Sequence, residues 1–162
     1  MKIRTDFVTN SSSSSFVIAL NNKPISVEET KELLFGDQDE YPDPYPDIHE
    51  KDSWPALDVA RTVFNDLIEQ EPNDSEALSE ALVGWLPGHP KWPEPGCGPE
   101  GWAQYAEDSL AHRNKALDSF RADNPGKDLY ILEYGDDDGN YFCALEHGDL
   151  FENISHIRIS NH

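Results

Sequence analysis

Residues 11–20 read SSSSSFVIAL, five serines running without a break into five apolar residues. A serine run alone behaves as a flexible linker, but this one is joined directly to an apolar, β-branched segment, so residues 14–20 are expected to form a strand that enters the core. The other β-rich runs lie at the far end of the chain. Residues 129–134 (LYILEY) and 141–145 (YFCAL) bracket 135–140 (GDDDGN), a pattern that predicts a β-hairpin, and 155–160 suits a last strand. With strands at both ends and helical patterns between them, the chain reads as α+β. The expectation is one domain over 1–162, with a mainly antiparallel sheet of about four strands and about four inserted helices packed on one face.

The helices follow from periodicity and caps. Ser26-Val27-Glu28-Glu29 is a capping box, placing a helix over 27–35 with Gly36 closing it. Leu57, Ala60, Val63, Phe64, Leu67 and Ile68 recur at helical spacing, predicting a helix from about Trp54, capped by Asp52 or Ser53 and stopped by Pro72. Leu78, Ala81, Leu82 and Trp85 give a second helix over 75–85, paired with it as a hairpin. A longer helix over 100–122 puts Trp102, Tyr105, Ala106, Leu110, Leu117 and Phe120 on its buried side, and Asn124-Pro125-Gly126 ends it. Two segments break the pattern. Residues 37–52 (DQDEYPDPYPDIHEKD) carry three prolines that exclude helix and form an exposed acidic loop; 87–99 are a second loop rich in proline and glycine.

A length of 162 residues with four Trp, seven Phe and six Tyr is enough for one real core. No apolar stretch approaches the roughly 20 residues that span a bilayer, so no membrane association is expected and the cytoplasm is the expected compartment. Cys97 and Cys143 have no metal-ligand spacing and read as free thiols. The charge says more: 32 acidic residues against 12 Lys and Arg give a net charge of -20. Direct binding of nucleic acid or anionic membrane rests on Lys and Arg neutralising phosphate and is excluded on that ground. The excess can serve solubility alone, or it can present carboxylates to a basic surface, even in imitation of a nucleic-acid backbone.

Several constellations invite a chemical reading. Asp136-Asp137-Asp138 resembles a cation-binding cluster, but Gly139 stands at the wrong place for an EF-hand loop, and Asp and Gly are what a hairpin turn needs. His147, Asp149, His156 and His162 lack the spacing of any zinc class, so no metal or other cofactor is expected. Residues two apart in a strand share a face, which puts His156 beside Arg158. Ser11, Ser12 and Ser13 can offer hydroxyls and backbone N–H groups to an anion as a turn, without the glycines and lysine of a phosphate-binding loop.

Phe7 to Phe16, FVTNSSSSSF, resembles the leader of a group of small uncharacterised bacterial and phage proteins whose remaining sequences differ widely. The segments 133–139 (EYGDDDG), 145–149 (LEHGD) and 157–162 (RIS with its flanks) are similar to the closing segment of some of them, which ends in RISHH. Asn161 stands here in place of the first histidine of that pair, which weakens any histidine-based role at the terminus. The resemblance implies no activity.

The leading functional expectation is a small non-enzymatic interaction or inhibitor protein that binds a basic protein surface. Asp39, Glu40, Tyr41, Asp43, Tyr45 and Asp47 of the acidic loop would make most of the contact. The alternative is a hydrolase or nucleotide-binding enzyme whose site joins the serine run to Asp149, His156, Arg158 and His162. It requires those residues to meet in one pocket. A third reading makes the leader a tag recognised or modified by a partner enzyme.

Overall fold

The computed structural model describes residues 13–74, 78–79, 86–135 and 142–160, apart from the side chains of Ile48, Phe142 and Cys143. The fold is α+β. Its centre is β1 (Ser13–Leu20), which lies between β4 (Asp128–Gly135) and β5 (His156–Ser160) in an antiparallel sheet of order β4-β1-β5. Phe16 stands opposite both Leu132 and Arg158, and Val17 opposite both Ile131 and Ile157. The two ends of the chain therefore share one sheet, as the serine-to-apolar junction predicted.

Alternation along these strands separates two cores. Phe16, Ile18 and Leu20 share one face with Tyr130, Leu132 and Tyr134. On this face lie α1 (Val27–Phe35), α3 (Ala56–Ile68) and α5 (Phe142–His147), which contribute Leu34, Phe35, Val59, Ala60, Val63, Leu67, Ala144 and Leu145. Val17 and Ala19 point the other way and meet Leu117 and Phe120 of α4 (Gly98–Asp123), with Leu78, Leu86, Leu129 and Ile159. Helices thus cover both faces, not one. β1 is consequently buried on both sides, and from Ser14 to Leu20 no residue is more than 6% exposed.

Helix α1 is built as its sequence dictates. The Ser26 hydroxyl accepts from the Glu29 N–H at 3.2 Å, and Gly36, at φ 57°, turns the chain out of the helix. The Glu29 carboxylate reaches one residue further back than the simple box, accepting from the Ile25 N–H at 2.9 Å. The C-terminal end of α3 is covered by Lys23, whose ammonium donates to the carbonyls of Ile68 and Gln70.

Three expectations need correction. Residues 142–147 are helical rather than the second strand of a hairpin. Ala144, Leu145 and Glu146 are good helix formers, and the turn is closed by the Gly148 N–H donating to the Ala144 carbonyl at 2.9 Å. Trp54 and Pro55 belong not to α3 but to β3 (Ser53–Pro55), which pairs with β2 (Glu40–Pro42) as a separate two-stranded ribbon. α3 therefore starts at Ala56, with neither Asp52 nor Ser53 as its cap. Finally, Trp102, Ala106 and Leu110 of α4 are exposed. A helix of 26 residues runs about 39 Å, whereas a strand of eight spans about 27 Å. The helix is therefore too long to lie on the sheet over its whole length, and Leu117 and Phe120, toward its C-terminal end, are the residues it buries there. The helix expected over 75–85 falls outside the described residues, except Leu78 and Ser79, which are helical.

Candidate functional site

The segment 37–52 is not a plain loop. Between β2 and β3 it makes one helical turn, α2 (Pro46–His49), with Pro46 in the first turn, where its missing N–H costs nothing. The hub of this ribbon is Asp43, whose side chain is fully buried. One carboxylate oxygen accepts from the Tyr45 N–H at 2.7 Å, an Asx turn across Pro44. The other accepts from the Trp54 indole N–H at 2.6 Å and lies 2.8 Å from His49 Nδ1. Burial pushes the Asp43 carboxyl up, but the Tyr45 N–H, His49 and Trp54 together outweigh it and hold the group below its ordinary value.

Tyr41 fastens the ribbon to the sheet. Its ring is buried against Phe35 at 5.3 Å, and its hydroxyl donates to the Ala144 carbonyl of α5 at 3.1 Å. Burial raises its pKa, and Asp149, Glu152 and Asp43 raise it further against the opposing pull of Arg158. Close approach at this point requires Gly148: a Cβ there would collide with the Tyr41 hydroxyl and lie 2.6 Å from the Ala144 oxygen. Tyr45 faces outward, 38% exposed, with the rings of His49 and His147 edge-on to it at 6.4 and 5.4 Å. His147 Nε2 in turn lies 3.5 Å from the buried carboxylate of Glu146.

The fold brings together two sets of residues that the sequence left apart, the ribbon and the segment 146–158. Asp37, Asp39, Glu40, Asp47, Glu50 and Asp52 are exposed around this frame. Asp39 pairs with Lys31 at 3.0 Å, and Glu40 accepts from the Ser53 hydroxyl at 2.7 Å. Two of the expected contact residues are not available to a partner: Tyr41 is in the core and Asp43 is the hub. His49 and Trp54 were missed by sequence reasoning. The signal that could have found them is Asp43-Pro44-Tyr45, an Asx turn in sequence, since such a turn leaves the second carboxylate oxygen seeking a donor.

The serine run behaves differently. Ser13, Ser14 and Ser15 lie within β1 and are extended, so the described part of the run is not an anion-binding turn. Ser14 pairs with Tyr134 and Ser160 and is fully buried; its hydroxyl has no hydrogen-bond partner among the described residues. His156 pairs with Ile18, four residues along from Ser14, a separation of about 13 Å. That is far beyond the roughly 3 Å needed between a nucleophile and its base. His156 instead packs near Phe16 and Phe151, its Nδ1 3.0 Å from the Ile154 carbonyl, while Arg158 lies over the Phe16 ring. Ser11, Ser12, His162, the side chain of Cys143 and the aspartates 136–138 fall outside the described residues. Among the described residues no three His, Cys, Asp or Glu gather closely enough to hold a metal ion. No described helix is long and apolar enough to cross a membrane.

A second surface lies on the opposite face of the sheet. The loop 86–97 runs along α4 and, beside β5, leaves a cavity of about 370 Å³ lined by Leu86, His112, Ala116, Phe120 and Ile157 among others. Further along, Trp92 stacks on Tyr105. Comparison of the chain with protein-family models, with curated proteins and with solved structures gives no match.

Proposed function

We propose that this is a non-enzymatic binding protein that engages a basic protein surface through the acidic ribbon 37–55. The supporting observation is the way the acids are mounted. Tyr41 fastens the ribbon to the body, Asp43 ties Tyr45, His49 and Trp54 of the ribbon together, and six carboxylates stand exposed along 37–52. A fixed charge array loses less freedom on binding than a mobile loop, and a net charge of -20 steers a cationic partner toward it. Tyr45 supplies the amphipathic ring common at the centre of such contacts. Imitation of nucleic acid is one form of this activity, with carboxylates in the place of phosphates. A serine hydrolase built from the leader and the C-terminal strand is disfavoured by the separation of Ser14 from His156.

The test is capture of partners from bacterial lysate on the immobilised protein at low and high salt, with D37N/D39N/D47N/D52N as control. A basic protein retained at low salt, released at about 1 M salt, where the Debye length is about 3 Å, and lost by the control is the expected result. Displacement of that partner by duplex DNA identifies the nucleic-acid mimic. Recovery of no basic protein at either salt concentration removes the reading.

A further inference from the structure

The sheet ends at β5, and the outer edge of that strand is unpaired. The Ala19 N–H donates to the Ser155 carbonyl at 3.0 Å, and the register sets these two residues opposite each other. Antiparallel ladders alternate hydrogen-bonded and non-hydrogen-bonded pairs, so the next bonded pairs are Val17 with Ile157 and Ser15 with Ile159. The backbone N–H and C=O groups of His156, Arg158 and Ser160 therefore point away from β1. Among the described residues no backbone group meets them. Edge strands are commonly closed by a charged side chain or a covering element; here the Arg158 guanidinium lies over the ring of Phe16, on the inner strand, and leaves the edge clear.

A cavity adjoins this edge. Its volume is about 370 Å³, and of the three strands only β5, through Ile157, lines it. Leu86, Ala116, Phe120 and Ile157 make its apolar wall, and Ser119 stands exposed at its rim. Ile157 is consequently left half-buried, whereas Ile159, on the same face of the strand, is completely buried. α4 forms the opposite side of the groove and is tied to the start of β5 by the Asn124 amide, which donates to the Ser155 hydroxyl at 2.8 Å.

Edge and cavity together define the occupant. Outward N–H and C=O groups repeating every second residue match the backbone of an extended chain, and a strand laid along them turns every second side chain toward α4 and the cavity. A compact small molecule matches the cavity but not the edge. Pairing with a second copy is opposed by the net charge of -20 on each chain.

We propose that the β5 edge and the adjoining cavity form a docking groove for an extended segment of another protein, which adds antiparallel to β5 as a fourth strand and seats an apolar side chain against Ala116, Phe120 and Ile157. The groove lies on the other face of the sheet from the acidic ribbon and does not rest on it.

The probe is the fluorescein-labelled peptide KTVTFTVK, whose alternate apolar residues suit the cavity, titrated by anisotropy at about 0.15 M salt. In an antiparallel addition the residues opposite His156, Arg158 and Ser160 exchange the hydrogen bonds, and in this peptide they are the threonines. Replacing the phenylalanine by alanine is expected to weaken binding about tenfold, as is Ser119→Trp, which fills the cavity from its exposed rim and whose fold is checked by circular dichroism. N-methylation of the two central threonines should abolish binding, while N-methylation of the phenylalanine, whose N–H faces solvent, should preserve it. Hydrogen exchange of the free chain should be fast at the Arg158 amide and slow at those of Ile157 and Ile159, and the peptide should slow Arg158. Absence of binding, equal losses from the two N-methylations, or an unchanged affinity in Ser119→Trp overturns the groove. Weakening only in D37N/D39N/D47N/D52N moves the peptide to the ribbon, which overturns the groove and leaves the acidic ribbon standing. A protected Arg158 amide in a free chain that sediments as a dimer gives the edge to a second copy and overturns the proposal.

Discussion

The two proline-rich segments, 37–55 and 86–97, look alike in sequence and end up as opposite kinds of structure. Each carries prolines, acids and aromatic residues. In the first, Tyr41 turns into the core and Asp43 collects three donors, so the segment becomes a paired ribbon held from the inside. In the second, the aromatic residue stacks on the flank of a helix that overshoots the sheet, and the segment stays an irregular strap. The difference lies in what each side chain has to bury. A lone carboxylate taken out of water must be surrounded by donors, which imposes geometry on everything near it. Stacked rings on a surface impose little.

Removing the hub breaks this comparison most sharply. Asp43→Ala leaves the Trp54 indole N–H, the Tyr45 N–H and His49 without their acceptor, and a loss of about 3–5 kcal/mol in urea unfolding is expected. The same group makes stability depend on pH. Because the Asp43 pKa is lower in the folded protein, its contribution is complete above the ordinary value of 3.8 and disappears as pH falls through the lower folded value. Asp43→Asn is expected to flatten the acid limb of a thermal-melting profile below pH 4.

Gly148→Ala comes next in size, since the new methyl meets the Tyr41 hydroxyl and the Ala144 carbonyl; a loss of about 1–3 kcal/mol is expected. The double variant G148A/Y41F should recover part of that loss, because it removes one of the colliding atoms. Tyr41→Phe alone should cost about 1 kcal/mol, the net value of one hydrogen bond, and it has an alkaline signature. The Tyr41 pKa is raised by burial, so the wild type retains this contribution below about pH 10 and loses it as pH rises further. The variant should lack that component of alkaline unfolding. Smallest is Trp92→Ala in the strap, expected to shift unfolding by no more than about 1 kcal/mol. A shift as large as that of Asp43→Ala would show that the strap is structural after all.

The sheet was legible from residues 14–20, 129–134 and 155–160, whose β-rich apolar runs do form its three strands. Its two-sided burial was not read, and helices were expected on one face only, although 16–20, an apolar run without alternation, is the pattern of a strand covered on both faces. Helix α1 could be read to its caps because a capping box is local chemistry. The failures were of the non-local kind. Residues 141–145 have β-rich composition, yet Phe142–His147 is a helix whose Ala144 carbonyl accepts from Tyr41, over one hundred residues earlier, a contact that no local pattern displays. Trp102 and Leu110 fit a buried helical face by spacing, yet spacing does not say how far the sheet beneath extends. In the candidate site the exposed acids were readable from composition. The buried one was not, because the donors of Asp43 include residues six and eleven positions away.

The position of β1 at the middle of the sheet has a consequence for synthesis. Leu20 pairs with Asp128, and Ile18 with His156, so the most apolar strand leaves the ribosome before either neighbour exists. At roughly 5–20 residues per second the delay is several seconds to some tens of seconds, long compared with the microseconds in which a hairpin closes. During that interval Phe16 to Leu20 present an unpaired apolar edge, the kind of surface that chaperones hold and that other chains add to. The nascent chain must keep its first strand waiting for its last.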